Sequence, residues 1–218
     1  MDERARLLEI ALSAAARGWP VLALLPDATG LVDGQGGGPD AAATTDPDRI
    51  RSLWAEEAFN VGVATGPANL VVLDLLRADG PAGCDGWAYF KAFCSQHLDD
   101  LDRLPERPRH TELFDGSVPT TRTVRTEGGG GRQLYFTAPG GSHLSSTADW
   151  LAPMIEICAW GGYVVAAGSV VDGRLYRTEG PALMNPLPAW LKLLVVPSGW
   201  NGFRFPSEYA LRPENYPR

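Results

Sequence analysis

The feature that most constrains the fold is the order in which helix-like and strand-like segments follow each other. Helical and strand patterns alternate over the first half of the chain, and the second half is a series of short strand-like segments separated by glycine turns. These segments are 122–126, 133–137, 154–157, 163–167 and 174–177. Alternating elements followed by a run of strands are typical of the α+β class, so we predict a central sheet that is mixed or mostly antiparallel.

The first half has helix and strand signals with recognisable ends. Gly18 ends a helical repeat of apolar residues, and Thr45 or Asp46 can cap a helix with Pro47 at its first position. The predicted helices are 3–17, one from 47 onward, 86–101 and a short 188–194; the predicted strands are 21–25, 61–64 and 70–73, the last two joined by the turn 66–69. Residues 27–43 are rich in glycine, alanine and aspartate, which predicts a loop.

Composition excludes several classes of protein. Three cysteines in 218 residues make no disulfide framework, and no stretch approaches the roughly 18–20 apolar residues that span a bilayer. The acidic start MDERARLLEI is unlike a secretory signal, so we expect a cytoplasmic protein with no membrane partner. The net charge of −7 makes a strong, salt-resistant attachment to duplex DNA unexpected, because neutralising phosphates requires a concentrated basic face.

We find no internal repeat and no low-complexity linker that would divide the chain into two domains. We therefore predict one domain over 1–195. Residues 196–218 are aromatic and non-periodic, and we expect a C-terminal tail that either docks on the domain or engages a partner.

Two glycine runs are candidates for phosphate-binding loops. The run 34–38 lacks a following Lys-Ser/Thr and opens no clear helix, which favours a plain loop. The run 128–131 lies between two predicted strands and precedes Arg132, so both a hairpin turn and a close backbone approach to a phosphate stay open. The scattered cysteines and histidines have no zinc-site spacing.

Two acidic residues lie within or directly after apolar strands. Asp74 follows the run Leu70-Val71-Val72-Leu73, and Glu156 lies inside Met154-Ile155-Glu156-Ile157. If their strands are neighbours, the two carboxylates could share a divalent ion. A sheet with one face exposed to water would explain either residue equally well.

An ordered series of strings over residues 5–195 resembles the N-terminal domain of bifunctional DNA primase/polymerases, of the archaeo-eukaryotic primase superfamily. The strings are Gly18-Trp19-Pro20-Val21, Ala43-Thr44-Thr45-Asp46-Pro47-Asp48-Arg49-Ile50, Asn60-Val61-Gly62-Val63-Ala64-Thr65-Gly66, Leu70-Val71-Val72-Leu73-Asp74, Thr123-Val124-Arg125-Thr126, Gly130-Gly131-Arg132-Gln133-Leu134-Tyr135-Phe136, Ile155-Glu156-Ile157, Gly161-Gly162-Tyr163-Val164-Val165-Ala166 and Leu187-Pro188-Ala189-Trp190-Leu191. The resemblance implies an α+β primase–polymerase domain with a mixed or antiparallel sheet flanked by helices.

The resemblance also implies a site. The family pattern places an Asp-x-Asp pair after the first long strand, a histidine in a Gly-Gly-x-His hairpin and a third acid in an Ile-Asp-Val-Arg strand. Asp74 and Glu156 match the first and third acids and are the implied catalytic and metal-binding residues. We expect Gly130, Gly131, Arg132 and Gln133 of the hairpin, together with Arg125, to contact the phosphates of a nucleotide. From their position near the glycine hairpin, Arg122, Arg125 and Arg132 are the candidates for any contact with DNA phosphates.

The sequence departs from the family pattern at positions that carry the chemistry. Leu76 replaces the second aspartate, and an alkyl group cannot bind Mg²⁺. Gln133 replaces the histidine and is uncharged at neutral pH. The arginine expected two residues after the third acid is Cys158, and the stretch 26–30 lacks the family's lysine. Asp79 is the one nearby candidate for a substitute ligand.

We therefore expect a DNA primase/polymerase-like protein whose polymerase activity is weak or absent and whose site holds Mg²⁺ or Mn²⁺ weakly, if at all. The expected ligands are a nucleotide and a DNA template, and a helicase or other replication protein would be a separate chain. Two alternatives stay open: an active template-dependent nucleotidyltransferase with a substitute ligand, and a protein-interaction module on the primase fold.

Overall fold

The structure is a computed structural model that describes residues 2–32, 37–77, 85–96, 117–126, 131–140, 144–147 and 154–195. The helices are α1 (Glu3–Ala16), α2 (Gly38–Ala42), α3 (Pro47–Glu56), α4 (Gly86–Gln96) and α5 (Ala189–Val195). The strands are β1 (Val21–Leu24), β2 (Asn60–Ala64), β3 (Leu70–Leu75), β4 (Arg122–Thr126), β5 (Arg132–Thr137), β6 (Ile155–Cys158), β7 (Tyr163–Val165), β8 (Val170–Val171), β9 (Arg174–Glu179) and β10 (Asn185–Pro186). The architecture is α+β, as predicted.

The strands form two sheets. The smaller sheet has the order β1-β2-β7 and is antiparallel. The larger has the order β6-β3-β5-β4-β9-β8 with antiparallel pairs, and β10 adds a short parallel pairing to β5. The predicted mixed, mostly antiparallel sheet is therefore confirmed.

The helices begin where the sequence signals lie. At the start of α3, the Asp46 carboxylate accepts a hydrogen bond from the Asp48 backbone N–H at 2.9 Å, and Pro47 occupies the first helical position. This cap directs Ile50 and Trp54 into the interior, where the Trp54 indole N–H donates to the Phe59 carbonyl at 2.7 Å. The cap and the apolar spacing thus fix the helix that closes one side of the core.

Each face of the larger sheet has its own core. On one face, the β3 side chains Val71, Leu73 and Leu75 pack in a cluster with Phe90 of α4 and Leu191 of α5. On the other, Val72, Val124 and Tyr135 belong to a cluster that includes Leu7 of α1, Trp54 of α3 and Val63 of the smaller sheet. Because side chains alternate between the two faces of a strand, the sheet has one face covered by α4 and α5 and another that packs against α1 and the smaller sheet. The first is called the helix-covered face below, and the second the inner face.

Several sequence expectations need correction. Part of the predicted loop 27–43 forms α2, and the short strands β8 and β10 were not predicted. The consecutive strands β2 and β3 lie in different sheets, because β2 pairs with β1 and β7 while β3 pairs with β5 and β6. The end of the predicted helix at 97–101 and the tail 196–218 lie outside the described residues, as does most of 102–120. Within the described ranges, no helix is long and apolar enough to cross a membrane.

Candidate active site

A row of three polar side chains crosses the inner face of the larger sheet. Strand β3 lies between β5 and β6, and its Asp74 is the register partner of Gln133 on one side and of Glu156 on the other. Directly opposed residues of an antiparallel pair put their side chains on the same face, about 4.5–5.5 Å apart at Cβ. Sheet pairing thus brings both acids predicted from the sequence to adjacent positions.

Gln133 binds Asp74 through a fixed hydrogen-bond chain. Its amide Nε2 donates to Asp74 Oδ2 at 3.2 Å, and the Tyr135 hydroxyl donates to Gln133 Oε1 at 3.1 Å. Gln133 and Tyr135 are each only 2% exposed. Because both ends of the amide are engaged, Gln133 acts here as a neutral positioning residue for one oxygen of Asp74, and its own charge stays zero at every pH near neutrality.

The electrostatics of the row favour a bound cation. Burial raises the pKa of Asp74 to about 7; the hydrogen bond from Gln133 lowers it in part, and the neighbouring charge of Glu156 raises it further. Among the described groups that shift this pKa, none is a cation. A divalent ion between the two carboxylates would supply the missing positive charge and favour the ionised form of Asp74.

The donor set fits one divalent ion better than two. Asp74 and Glu156 provide carboxylate oxygens, which Mg²⁺ and Mn²⁺ prefer. The described part of the chain contains no group of three or more histidine, cysteine, aspartate or glutamate residues that would hold a metal. A clamp of two ions needs carboxylates bridging and flanking both, and Asp74 with Glu156 does not supply that number.

Leu76 lies where the second acid of the family pattern would be. It follows β3, is partly exposed, and is held by its backbone: its N–H donates to the Met154 carbonyl and its carbonyl accepts from the Gly86 N–H, both at 2.8 Å. Gly86 has no room for a Cβ beside the backbone of Leu76 and Met154. The backbone at position 76 is thus held by Met154 and Gly86 on either side, and its side chain is an alkyl group.

The structure does not bring Arg125 and Arg132 to this row. The two arginines are register partners on β4 and β5, and both pair with Glu179 of β9, at 3.6 and 3.4 Å. The Arg132 guanidinium also lies 4.4 Å from the ring centroid of Trp87 on α4. They therefore lie at the edge of the helix-covered face, opposite Asp74.

Of the remaining residues singled out in the sequence, the structure describes Gly131 and Cys158. Gly131 precedes β5, and a Cβ there would make only ordinary contact, 3.4 Å from Thr126 Oγ1. Gly130 and Asp79 lie outside the described residues. Cys158 is two residues beyond Glu156, and burial raises the pKa of its thiol well above the ordinary value, which keeps it neutral.

Sequence reasoning missed Tyr135, which completes the hydrogen-bond chain. Alternation supplied a signal for it, since residues 133 and 135 must share a face of any strand. The same rule places Arg132 and Gln133 on opposite faces, so they could not both have faced one nucleotide from within β5.

Residues 11–190 match the family model described as bifunctional DNA primase/polymerase, N-terminal. The match spans most of the chain and agrees with the extent of the resemblance found in the sequence. A search of the curated proteins found no match to this chain.

Proposed function

The chain belongs to the bifunctional DNA primase/polymerase family, and from this membership we propose that its inner face binds a nucleotide and DNA with weak or no polymerase activity. The family acts as primase and polymerase, binds nucleotides and DNA, and generally uses divalent metals. The observation that carries the proposal is the row Asp74–Gln133–Glu156. It keeps two acids in place and has a neutral amide where the family pattern has histidine.

The roles of the residues follow from this geometry. Asp74 and Glu156 would hold one Mg²⁺ or Mn²⁺ ion, and Gln133 would orient Asp74 through its amide N–H. When bound, the ion would neutralise part of the phosphate charge of a nucleotide. Phosphoryl transfer also requires the attacking and leaving oxygens to be stabilised together. With Leu76 and Gln133 in place, the site lacks a carboxylate for a second ion and a protonatable donor for the phosphates. The site would therefore still bind a nucleotide while catalysing phosphoryl transfer weakly or not at all.

Two measurements on the wild-type protein test this proposal. We expect nucleoside triphosphate with Mn²⁺ to raise the thermal unfolding midpoint, since a ligand that binds only the folded state stabilises it by mass action. We expect a primer-extension assay with Mg²⁺ or Mn²⁺ to give no product or traces. Sustained extension would instead establish the active nucleotidyltransferase, and a midpoint unchanged by nucleotide or by DNA would contradict the binding proposal.

Restoring the family residues tests why catalysis is weak. Leu76→Asp with Gln133→His adds a carboxylate two residues after Asp74 and a chargeable donor beside it. Because Leu76 is already partly exposed, the added carboxylate keeps contact with water and the fold should tolerate it. We expect Mn²⁺ affinity, measured by calorimetry, to rise at least about tenfold, as an added charged ligand contributes more than 1.4 kcal/mol.

The matched control is Leu76→Asn with Gln133→His, which has similar shape and one charge fewer. A folded aspartate variant that binds Mn²⁺ no better than this control would mean that the row is not a metal site.

A further inference from the structure

A second cluster of side chains lies on the inner face, beside the polar row. Trp19, which follows α1, stacks on Tyr135 with ring centroids 6.2 Å apart and an interplanar angle of 20°. Two guanidinium groups lie over the Trp19 ring, Arg17 at 5.9 Å and Arg122 at 5.7 Å from its centroid. Arg17, Trp19 and Arg122 are called the arginine–tryptophan cluster below. Through Tyr135 and Gln133, it is joined to Asp74 by an unbroken chain of contacts.

The two arginines of the cluster have no counter-charge among the described residues. Within the described residues, neither Arg17 nor Arg122 forms an ion pair with a carboxylate, whereas Arg4, Arg6, Arg51, Arg125 and Arg132 all do. Arg122 Nη2 donates to Thr178 Oγ1 at 3.1 Å, and its Nε is buried without an acceptor. Burial lowers the pKa of Arg122, a nearby tyrosine offsets this in part, and the charge of Arg17 lowers it further.

Such a pair is unexpected in a chain of net charge −7, because like charges repel and a buried guanidinium nitrogen without an acceptor is costly. An anion bound between the two groups would remove both penalties. Guanidinium forks match phosphate oxygens in shape and charge, and stacking on an aromatic ring limits the rotamers that each arginine can adopt.

We propose that the arginine–tryptophan cluster binds a backbone phosphate of a nucleic-acid strand lying along the inner face. This inference rests on the proposed function and names a contact that the strand makes. Trp19 positions the two arginines; its ring is already stacked on Tyr135 and covered by the guanidinium groups, so it is not a platform for a base.

The position of the cluster favours a strand over the nucleotide itself as the source of the phosphate. Arg122 is the register partner of Tyr135, two strands from Asp74 and two residues further along, so its Cα lies about 12 Å from that of Asp74 by ordinary sheet spacings. The phosphates of a nucleotide undergoing transfer must lie at the metal-binding acids. A phosphate at the cluster therefore belongs to a neighbouring part of the nucleic acid.

The test uses a double variant that carries both Arg17→Gln and Arg122→Gln. Its control is a double variant that carries both Arg4→Gln and Arg51→Gln. The control removes the same two charges from exposed arginines that already have carboxylate partners. Binding of a fluorescently labelled single-stranded oligodeoxythymidine is followed by anisotropy over a series of salt concentrations. Loss of this one phosphate contact should reduce the slope of log affinity against log salt by about 0.7, and lower the affinity roughly tenfold for each arginine removed.

A second arm separates the two possible sources of phosphate. Thermal stabilisation by nucleoside triphosphate with Mn²⁺ should be the same in the double variant and the control. A double variant that loses this response and keeps strand binding would overturn the assignment to a strand. A slope equal to that of the control would overturn the cluster as a phosphate site.

Two further variants keep the test decisive if the double variant fails to fold. Arg17 is exposed, so Arg17→Gln alone should fold and lower the affinity for the strand roughly tenfold relative to Arg4→Gln. Arg122→Lys should keep the slope but lower the affinity, because a lysine keeps the charge and loses the planar fork. A wild-type protein that binds nucleotide and no strand would overturn this inference alone, and one that binds neither would overturn the proposed function as well.

Discussion

The two faces of the larger sheet are built from the same strands and differ in what they carry. On the helix-covered face, Leu73 and Phe136 are fully buried among apolar side chains of α4 and α5. On the inner face, the next residues along the same strands place Asp74, Gln133 and Tyr135 in a polar row within an otherwise apolar cluster. The first face stabilises the domain. The second contains groups whose burial costs free energy, which is expected where a ligand is bound.

Charge is also distributed differently on the two faces. At the edge of the helix-covered face, Arg125 and Arg132 are balanced by Glu179. On the inner face, none of the described groups that shift the pKa of Asp74 is a cation, and neither arginine of the cluster forms an ion pair with a described carboxylate. Both imbalances would be relieved by the same class of ligand, a phosphate-bearing molecule with its metal ion.

The largest effect should follow from a cavity on the helix-covered face. Phe136→Ala removes a side chain that is 0% exposed and should lower the free energy of unfolding by about 3–5 kcal/mol. Urea titration measures this change. Leu183→Ala, at a position 73% exposed, is the control and should stay within about 0.5 kcal/mol of wild type. A loss below about 1 kcal/mol for the phenylalanine variant would show that this face is not the main core.

The next effect concerns pH and the inner face. The pKa of Asp74 is about 7 in the folded protein, against an ordinary value of 3.8. Between these two pH values, the folded state therefore keeps a proton that the unfolded state has released. The contribution of Asp74 to stability is therefore fully present below about pH 4 and is lost as the pH rises toward 7. Because Asp74 is only partly buried, we expect a loss of about 2–4 kcal/mol.

Asp74→Asn isolates this contribution, since asparagine keeps the shape and can still accept from Gln133. Urea titrations between pH 4 and 8 should show a smaller decline of stability for the variant than for wild type. Parallel pH profiles for the two proteins would refute the assignment of the raised pKa to Asp74.

A smaller effect should come from the hydrogen-bond chain. Tyr135→Phe leaves Gln133 Oε1 buried without its donor, which should lower the free energy of unfolding by about 1–3 kcal/mol. Tyr163→Phe is a matched control, because that hydroxyl donates to the Thr29 carbonyl in an exposed setting. If both variants lose the same amount of stability, the chain does not hold Gln133 in place.

The smallest effect should be at the edge of the helix-covered face. Arg125→Gln breaks an exposed ion pair with Glu179 and should change stability by about 0–1 kcal/mol. It should leave nucleotide-dependent thermal stabilisation unchanged, because Arg125 faces away from Asp74. A variant that lost this response would show that the nucleotide reaches the edge of the sheet, as the position of Arg125 near the glycine hairpin predicts.

Local sequence patterns were enough to predict most helices and strands and to single out the acidic residues Asp74 and Glu156. The apolar run before Asp74 and the alternation around Glu156 are properties of consecutive residues, and so is the Asp46–Pro47 start of α3. The short strands β8 and β10 were not predicted, because a segment of two residues is too short to show the alternation of apolar and polar residues that marks a strand. Arg125 and Arg132 are near the glycine hairpin in sequence, but alternation along β5 places Arg132 on the opposite face from Gln133, and the pairing of β4 with β5 places Arg125 beside Arg132.

What the sequence by itself determined is most of the helices and strands and the family, because these depend on patterns of residues close together in the chain. Only the tertiary structure decided that β3 leaves its neighbour β2 and inserts between β5 and β6. That pairing joins Asp74 to Gln133, 59 residues away, and fixes which alternate side chains share its face. The physical reason is that side-chain alternation is local, whereas the partner of a strand is chosen by burial of both its faces over the whole domain.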